Sequence, residues 1–364
     1  MSRRSIAASS AALVAALTLL ACSQGNASST VTHDSSTASA GGTTAQSSSG
    51  EVASSATAHG ARAGNADAAA GTPGSAPRAA NKLGRIPVLE YHVIGGEKNA
   101  LYTRTRESFR ADLEDVYRRG YRPITMRQLL DKDFSEVPAG MSPVVFVFDD
   151  ASPEQFAYVE RDGKLEIDPQ SAVGIWLDFA KSHQGWGNRA TFCMLNGGAA
   201  GHNFFGDSPK FMGQKKEWRF QKVKWLADQG FELCGHTLWH AMLNKYSDAV
   251  VQEQIARNVM GIDSVIPGYK VRTFALPYGI WPKNRPLAWQ GQWTDPKTGQ
   301  THAYKFDAVL EVSGGPARSP FDPQFNPHSI TRIEAIGDDI RRTLDRLDQS
   351  ATRYVAGAET GKKS

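Results

Sequence analysis

The chain of 364 residues is poor in the features that most quickly assign a protein to a class. It holds three cysteines, and none has the paired spacing of a cysteine zinc site. Its 41 basic and 37 acidic residues leave a formal charge of +4, too small a balance to favour nucleic acid as a partner. The apolar run from Ala11 to Leu20 is too short to span a bilayer. No internal repeat stands out, and neither a G-x-S-x-G nucleophile elbow nor a complete glycine-rich phosphate loop occurs, so serine-hydrolase and nucleotide-binding readings gain no support.

The two ends differ sharply from the middle. Arg3 and Arg4 precede the apolar run, which closes on Leu19-Leu20-Ala21-Cys22-Ser23; residues 1–22 read as a secretory signal. Leu-Leu-Ala-Cys resembles the bacterial lipobox, which implies that Cys22 becomes lipid-modified and that the protein is exported and anchored to a bacterial membrane at the cell envelope. Residues 23–82 are almost entirely Ser, Ala, Gly and Thr. Such a segment cannot bury enough apolar surface to offset its ordering entropy and is expected to be a disordered tether, reaching roughly 40–45 Å as a flexible coil. One domain is expected over 83–350, followed by a polar tail at 351–364.

Within that domain strand-like and helix-like segments alternate. Strands are expected at 86–91, 143–148, 190–195, 231–234, 271–276, 307–312 and 329–333, with helices around 106–119, 217–229, 248–264 and 337–348. This alternation predicts a parallel sheet wound with helices. The segment 282–305, rich in Trp, Gln, Gly and Thr, reads as a surface loop. Cys193 and Cys234 each fall inside an expected buried strand and read as buried thiols, with a disulfide between neighbouring strands left open.

Two stretches carry chemistry. Asp149 and Asp150 follow the apolar run Pro143–Phe148, where a buried parallel strand would end. His236 and His240 stand four apart in His-Thr-Leu-Trp-His, a spacing that puts both rings on one face of a helical turn. With one aspartate they offer three ligands and leave an open position for water, the layout of a catalytic rather than a structural metal site. An Asp-Asp pair can also cap a helix, and two histidines can be a surface pair. A zincin-type protease needs Glu after the first His, and here that residue is Thr237.

These motifs are followed by Phe274-Ala275-Leu276-Pro277-Tyr278-Gly279 and accompanied by Arg189-Ala190-Thr191-Phe192 and Gly230-Phe231-Glu232-Leu233. In this order they resemble the polysaccharide deacetylases of carbohydrate esterase family four, over roughly residues 86–345. The resemblance implies an α/β fold, a distorted and incomplete (β/α) barrel. It implies Asp149 as general base, and Asp150, His236 and His240 as ligands of a divalent metal, zinc first, with cobalt, nickel or iron compatible. Pro277, Tyr278 and Gly279 would shape the substrate groove with Trp281 beside them, and the backbone N–H of Tyr278 would help hold the oxyanion. The implied partner is an acetylated polysaccharide. Tyr91-His92 and Phe-Ala-x-Pro-Tyr-Gly resemble the poly-N-acetylglucosamine deacetylase branch, which implies removal of N-acetyl groups from a polymer containing N-acetylglucosamine. An O-acetyl esterase, or a catalytically silent carbohydrate-binding relative, remains open.

The chain departs from the family pattern in places. Ala275 stands where many members carry the arginine that orients the base; Arg332 or Arg189 could replace it. Residue 151 is Ala where Gly is usual, and about forty residues separate Asp150 from Arg189, which implies an insertion near the site. For the general acid, His92 is preferred over His328. His92 follows a strand whereas His328 precedes one, and barrel catalysis gathers at strand C-terminal ends.

Overall fold

The structure, a computed structural model, describes residues 78–197 and 202–358. The expected signal with Cys22, most of the expected tether and residues 359–364 lie outside the described residues.

Eight strands form the main sheet: β1 (Val88–Tyr91), β2 (Tyr121–Ile124), β3 (Ser142–Phe148), β4 (Thr191–Met194), β5 (Glu232–Gly235), β6 (Thr273–Ala275), β7 (Ala308–Gly314) and β8 (Ile330–Glu334). All pair in parallel. Seven of them, in the order β1-β8-β7-β6-β5-β4-β3, close into a barrel because β3 also pairs with β1. β2 lies outside the ring. It pairs with the first half of β3, and β4 takes the second half of the same edge. The expected distorted barrel is thus present, one strand short of a full (β/α)8 closure.

Alternation along the strands sorts side chains between two cores. Leu89, Tyr91, Phe146, Phe148, Phe192, Leu233 and Phe274 face outward under the helices, while Val88, Val145, Val147, Cys193, Cys234, Ala275 and Leu310 fill the lumen. The outer layer comprises α1 (Arg106–Arg118), α2 (Met126–Leu130), α3 (Ala172–Ser182), α4 (Arg219–Asp228), α5 (Asp248–Val265) and α6 (Asp339–Gln349). Helix α1 starts where Thr105 accepts a hydrogen bond from the Ser108 N–H, and it buries Phe109, Leu113 and Val116 on one stripe. Short α2, opened by a Thr125/Gln128 capping box, sends Met126 and Leu129 into the lower end of the lumen.

Several expectations are corrected. Cys193 and Cys234, opposite one another in the β4/β5 register, form a disulfide rather than two thiols. The stretch 282–305 is not simply a loop, since Gln290–Thr294 and Thr301–Lys305 pair as an antiparallel hairpin. Nor does the fold end at 350. Tyr354 and Ala356 are buried in the lumen cluster, the Arg353 guanidinium donates to Ser142 Oγ (2.8 Å), and Asn81 pairs with Val355. The expected insertion after Asp150 is a hairpin, Tyr158–Arg161 with Lys164–Ile167, followed by α3.

Candidate active site

Every strand of the barrel points its C-terminal end at the same mouth, and the side chains just past β1, β3, β5 and β6 meet there. Asp149 ends the apolar β3 strand, and its N–H donates to the Tyr91 carbonyl on β1 (2.9 Å). Asp150 and Ala151 then turn with positive φ (77° and 48°). Gln155, fully buried, donates from Nε2 to the carbonyls of both Asp149 and His92, the latter at 2.9 Å. One amide therefore ties the β3 turn to the β1 turn.

The histidine segment is not helical, contrary to the spacing argument. Thr237 and His240 have φ of 69° and 63°, and Thr237 Oγ1 accepts from the N–H groups of His240 (3.0 Å) and Ala241 (3.2 Å). A side-chain-closed turn, rather than a helix face, brings the rings together. Buried Asn258 on α5 fixes this turn: its Oδ1 accepts from the His236 N–H (3.1 Å), and its amide donates to the Met194 and Thr237 carbonyls.

Asp150 Oδ1 lies 3.3 Å from His236 Nε2 and 3.4 Å from His240 Nε2, with the three ligand atoms within 4.8 Å of one another. The His236 Nδ1–H donates to the Ala275 carbonyl (2.9 Å), which leaves the Nε2 lone pair facing the carboxylate. Both Asp150 Oδ1 and His236 Nε2 are buried without a hydrogen-bond partner. Two acceptors facing each other at this distance call for a cation between them. Tetrahedral ligands about 2.0–2.1 Å from zinc stand roughly 3.3–3.4 Å apart, so the donor set fits such an ion. Burial opposes ionisation of Asp150, but the facing His236 outweighs it and holds the carboxyl well below its usual range. Burial and the neighbouring His236 lower His240 to about 4, keeping that ring neutral.

A second cluster, Glu90, His92 and Asp149, also gathers potential ligands. Here the cation is already supplied. Arg332, completely buried on β8, donates from Nη1 to Asp149 (2.9 Å) and places Nη2 3.1 Å from Glu90 Oε1. A metal ion there would face a fixed guanidinium. Arg332 therefore takes the place left by Ala275, whereas Arg189 is engaged 2.7 Å from Glu136 elsewhere. Burial disfavours the Asp149 anion, but Arg332 and His236 hold the carboxyl below its usual range. Burial, helped by Asp149, drives Glu90 well above its own despite Arg332, so of the two carboxyls Asp149 is the one that ionises first.

His92 stands in this cluster, its Nε2 3.6 Å from Glu90 Oε1, and burial lowers its pKa against the pull of Asp149 and Asp150. His328 does not reach the mouth. It precedes β8 at the opposite end of the barrel and stacks on Trp289 at 4.6 Å, so it is removed as an acid candidate. In the Pro277-Tyr278-Gly279 turn, Tyr278 has a positive φ of 56° and its ring lies 4.2 Å from that of His240. At Gly279 φ is 65°, and a Cβ would meet Val312 at 3.0 Å, so this turn requires glycine. Trp281 is tied down rather than offered: its Nε1–H donates to Glu311 and the Arg285 guanidinium lies 3.9 Å from its ring centroid.

The sequence reading missed Glu90 and Gln155. Glu90 had a signal, a lone charge inside an apolar strand two residues before His92; Gln155 had none.

Residues 180–290 match the polysaccharide deacetylase family. Among solved structures, the chain is similar to the Streptococcus pyogenes deacetylase PplD in complex with acetate, with a TM-score of 0.50, 17% identity, and coverage of 72% of this chain and 98% of that one. It is also similar to BC0361, a polysaccharide deacetylase from Bacillus cereus (TM-score 0.48, 15% identity, 73% and 68% covered). A third likeness is IcaB from Ammonifex degensii (TM-score 0.48, 17% identity, 71% and 95% covered). No curated protein matches the chain. The likeness at these identities is one of fold. The family match spans β4, β5 and β6 of the barrel described above and includes the turn that carries His236 and His240.

Proposed function

We propose that this chain is a metal-dependent hydrolase that removes N-acetyl groups from a polysaccharide containing N-acetylglucosamine. The observation that carries the reading is the pairing of two sites at one mouth: an open three-ligand set, Asp150, His236 and His240, beside a carboxylate, Asp149, oriented by a buried arginine. A divalent cation bound by those ligands, zinc by the donor set, would supply Lewis acidity, acidifying water and polarising the acetyl carbonyl. Asp149, kept ionised by Arg332, accepts the proton of the attacking water. His92, beside Asp149 and shielded from solvent, is the residue assigned to protonate the departing amine. The backbone N–H of Tyr278 is assigned to the oxyanion.

The carboxylate of Asp149 and the buried Arg332 beside it, standing in for the arginine absent at Ala275, favour catalysis over a silent carbohydrate-binding role. The preference for an amide of N-acetylglucosamine over an O-acetyl ester rests on the Tyr91-His92 and Phe-Ala-x-Pro-Tyr-Gly motifs. Export and lipid attachment at Cys22 belong to the same proposal and rest on the amino-terminal sequence.

The test is acetate release by the full-length protein, with chelator and zinc add-back. The panel comprises β-1,4- and β-1,6-linked N-acetylglucosamine oligomers, peptidoglycan fragments and acetylated xylan. Release from an amide substrate that stops with chelator and returns with zinc supports the reading. Release from xylan alone moves it to the esterase, and silence with metal bound moves it to a binding protein.

A further inference from the structure

Nine large apolar side chains are exposed among the described residues, and three of them are aromatics on turns that follow barrel strands. Tyr278 (48% exposed), Tyr102 (44%) and Trp239 (41%) all lie on turns that follow β6, β1 and β5. Tyr102 belongs to none of the motifs discussed above. It sits on the turn Ala100–Thr103, which is closed by reciprocal backbone bonds between Ala100 and Thr103 (2.9 and 3.1 Å) and held to β1 by the Val93 N–H donating to the Tyr102 carbonyl (3.1 Å).

Tyr102 and Tyr278 are placed alike. Each has a positive φ, 61° and 56°, in the region a bulky residue rarely adopts. Each lays its ring against an imidazole of the site: Tyr102 on His92 at 4.8 Å with planes 57° apart, Tyr278 on His240 at 4.2 Å and 53°. Their strands, β1 and β6, stand on opposite sides of a seven-strand ring, three steps apart by one path and four by the other. His92 is grouped with Asp149, and His240 with Asp150. Burial, Glu334, Glu90, Asp150 and Tyr278 all push the Tyr102 phenol upward, in keeping with a ring that looks into the mouth. Uncommon backbone conformations held by surrounding bonds are a mark of residues kept for function, and two exposed rings, each packed on an imidazole of the site, suit an amphipathic ring ligand.

We propose that Tyr102 forms, with Tyr278, a two-walled aromatic slot that grips one acetamido-sugar ring above Asp149 and Asp150. The turn after β1 is then a specificity element for the glycan. This rests on the deacetylase reading for the identity of the sugar, but not for the existence of the slot.

The full-length protein, its zinc content measured, is assayed with N-acetylglucosamine oligomers of one to five units and with a small aryl acetate. Binding of the same oligomers is followed by calorimetry. Tyr102→Asn removes the ring while keeping a residue at home with positive φ; Tyr102→Phe keeps the ring. The Asn variant is expected to raise KM for the tetramer at least tenfold and to weaken calorimetric binding in parallel. Its loss on the aryl acetate should be at least fivefold smaller, and the Phe variant should restore KM to within twofold. An unchanged KM, or equal losses on oligomer and aryl acetate, overturns the slot; the equal loss would make Tyr102 a cover for His92. Should the wild-type protein hold zinc and turn over no sugar, calorimetry still decides. Weaker binding by Tyr102→Asn keeps the slot while the deacetylase reading fails, and no oligomer binding by the wild type ends both.

Discussion

Glu90 and Glu232 are both glutamates buried in one barrel lumen, at opposite ends, and their surroundings differ in kind. Glu232, at the start of β5, accepts from the Arg127 N–H (2.6 Å), Thr273 Oγ1 (2.9 Å) and Thr191 Oγ1 (3.3 Å). Glu90, at the upper end of β1, has neither oxygen in a hydrogen bond and only Arg332 as a near cation. Burial raises the pKa of both. At the lower end the cost of burial is met by hydrogen bonds that also tie α2, β4, β5 and β6 together. The upper end leaves Glu90, Asp150 and His236 with unmet polar atoms and places Asp150, Ala151, Thr237, His240 and Tyr278 at positive φ. A fold selected for cohesion alone would not retain that arrangement. Conversely, among the described residues the only groups of three or more candidate metal ligands lie at the upper end.

The largest test of this contrast is Asp149→Asn, which keeps the shape and the proposed metal ligands but removes the proposed base. A fall in kcat on the order of 10² to 10⁴ is expected, with metal content unchanged; turnover near the wild-type level would take Asp149 out of the mechanism. Next come the two histidines. His92→Gln should cost on the order of 10² in kcat, whereas His328→Gln, at the lower end, should alter only thermal stability. The reverse result would mean that the chemistry does not lie at the upper mouth.

Arg332→Leu is expected to reduce kcat on the order of 10-fold to 10². The sign of its pH effect follows from the charges. Burial raises the Asp149 pKa and Arg332 lowers it, so removing the guanidinium must raise that pKa and carry the acid limb of the rate profile to higher pH. Arg332→Lys should fall between. An unmoved acid limb would mean that Asp149 is held by something else.

Glu90→Gln and Glu232→Gln sharpen the comparison by exchanging its terms. Burial favours the protonated Glu90 carboxyl, and an amide imitates that form, so Glu90→Gln should change the melting temperature little and kcat only a few-fold. Glu232→Gln puts an N–H₂ where three donors converge. It should cost about 1–3 kcal/mol in stability and leave kcat alone.

What was legible in the sequence divides along similar lines. The seven barrel strands could be read because most are short, largely apolar runs, as Pro143–Phe148 shows, and such runs need no knowledge of their neighbours. β2 was missed because Tyr-Arg-Pro-Ile lacks that signal; it is a strand only through pairing with β3. Asp149, Asp150, His236 and His240 were legible as a set, yet the helical turn inferred for the histidines was wrong. Their convergence depends on two left-handed residues closed by Thr237 Oγ1. The partner of Asp149 could be narrowed to Arg332 or Arg189 and no further, since the choice depends on β8 lying beside β1. The disulfide was undecided for the same reason: only the β4/β5 register sets Cys193 against Cys234.

The smallest expected effect concerns a buried group that supports the upper end without belonging to it. Lys222 on α4 is fully buried and donates to two neutral acceptors, the Phe205 carbonyl (2.9 Å) and Gln214 Oε1 (2.6 Å). The next contact in the chain is the Phe205 N–H, which donates to the Ala151 carbonyl (2.8 Å) beside the aspartate pair. Burial lowers the Lys222 pKa from 10.5 to about 7. Between those values the unfolded chain holds a proton that the folded chain does not. Stability from this group therefore rises with pH across that window, and falls as pH drops toward 7. For a single group the slope cannot exceed about 1.4 kcal/mol per pH unit. Thermal melts from pH 7.5 to 9.5, with chelator present so that metal binding does not tilt the curves, should show the wild-type melting temperature climbing relative to that of Lys222→Met. Parallel curves would mean that the ammonium stays charged inside the fold. The two neutral acceptors would then be holding a full charge beneath the catalytic turn, and the upper end would contain one more strained group than the comparison assigns to it.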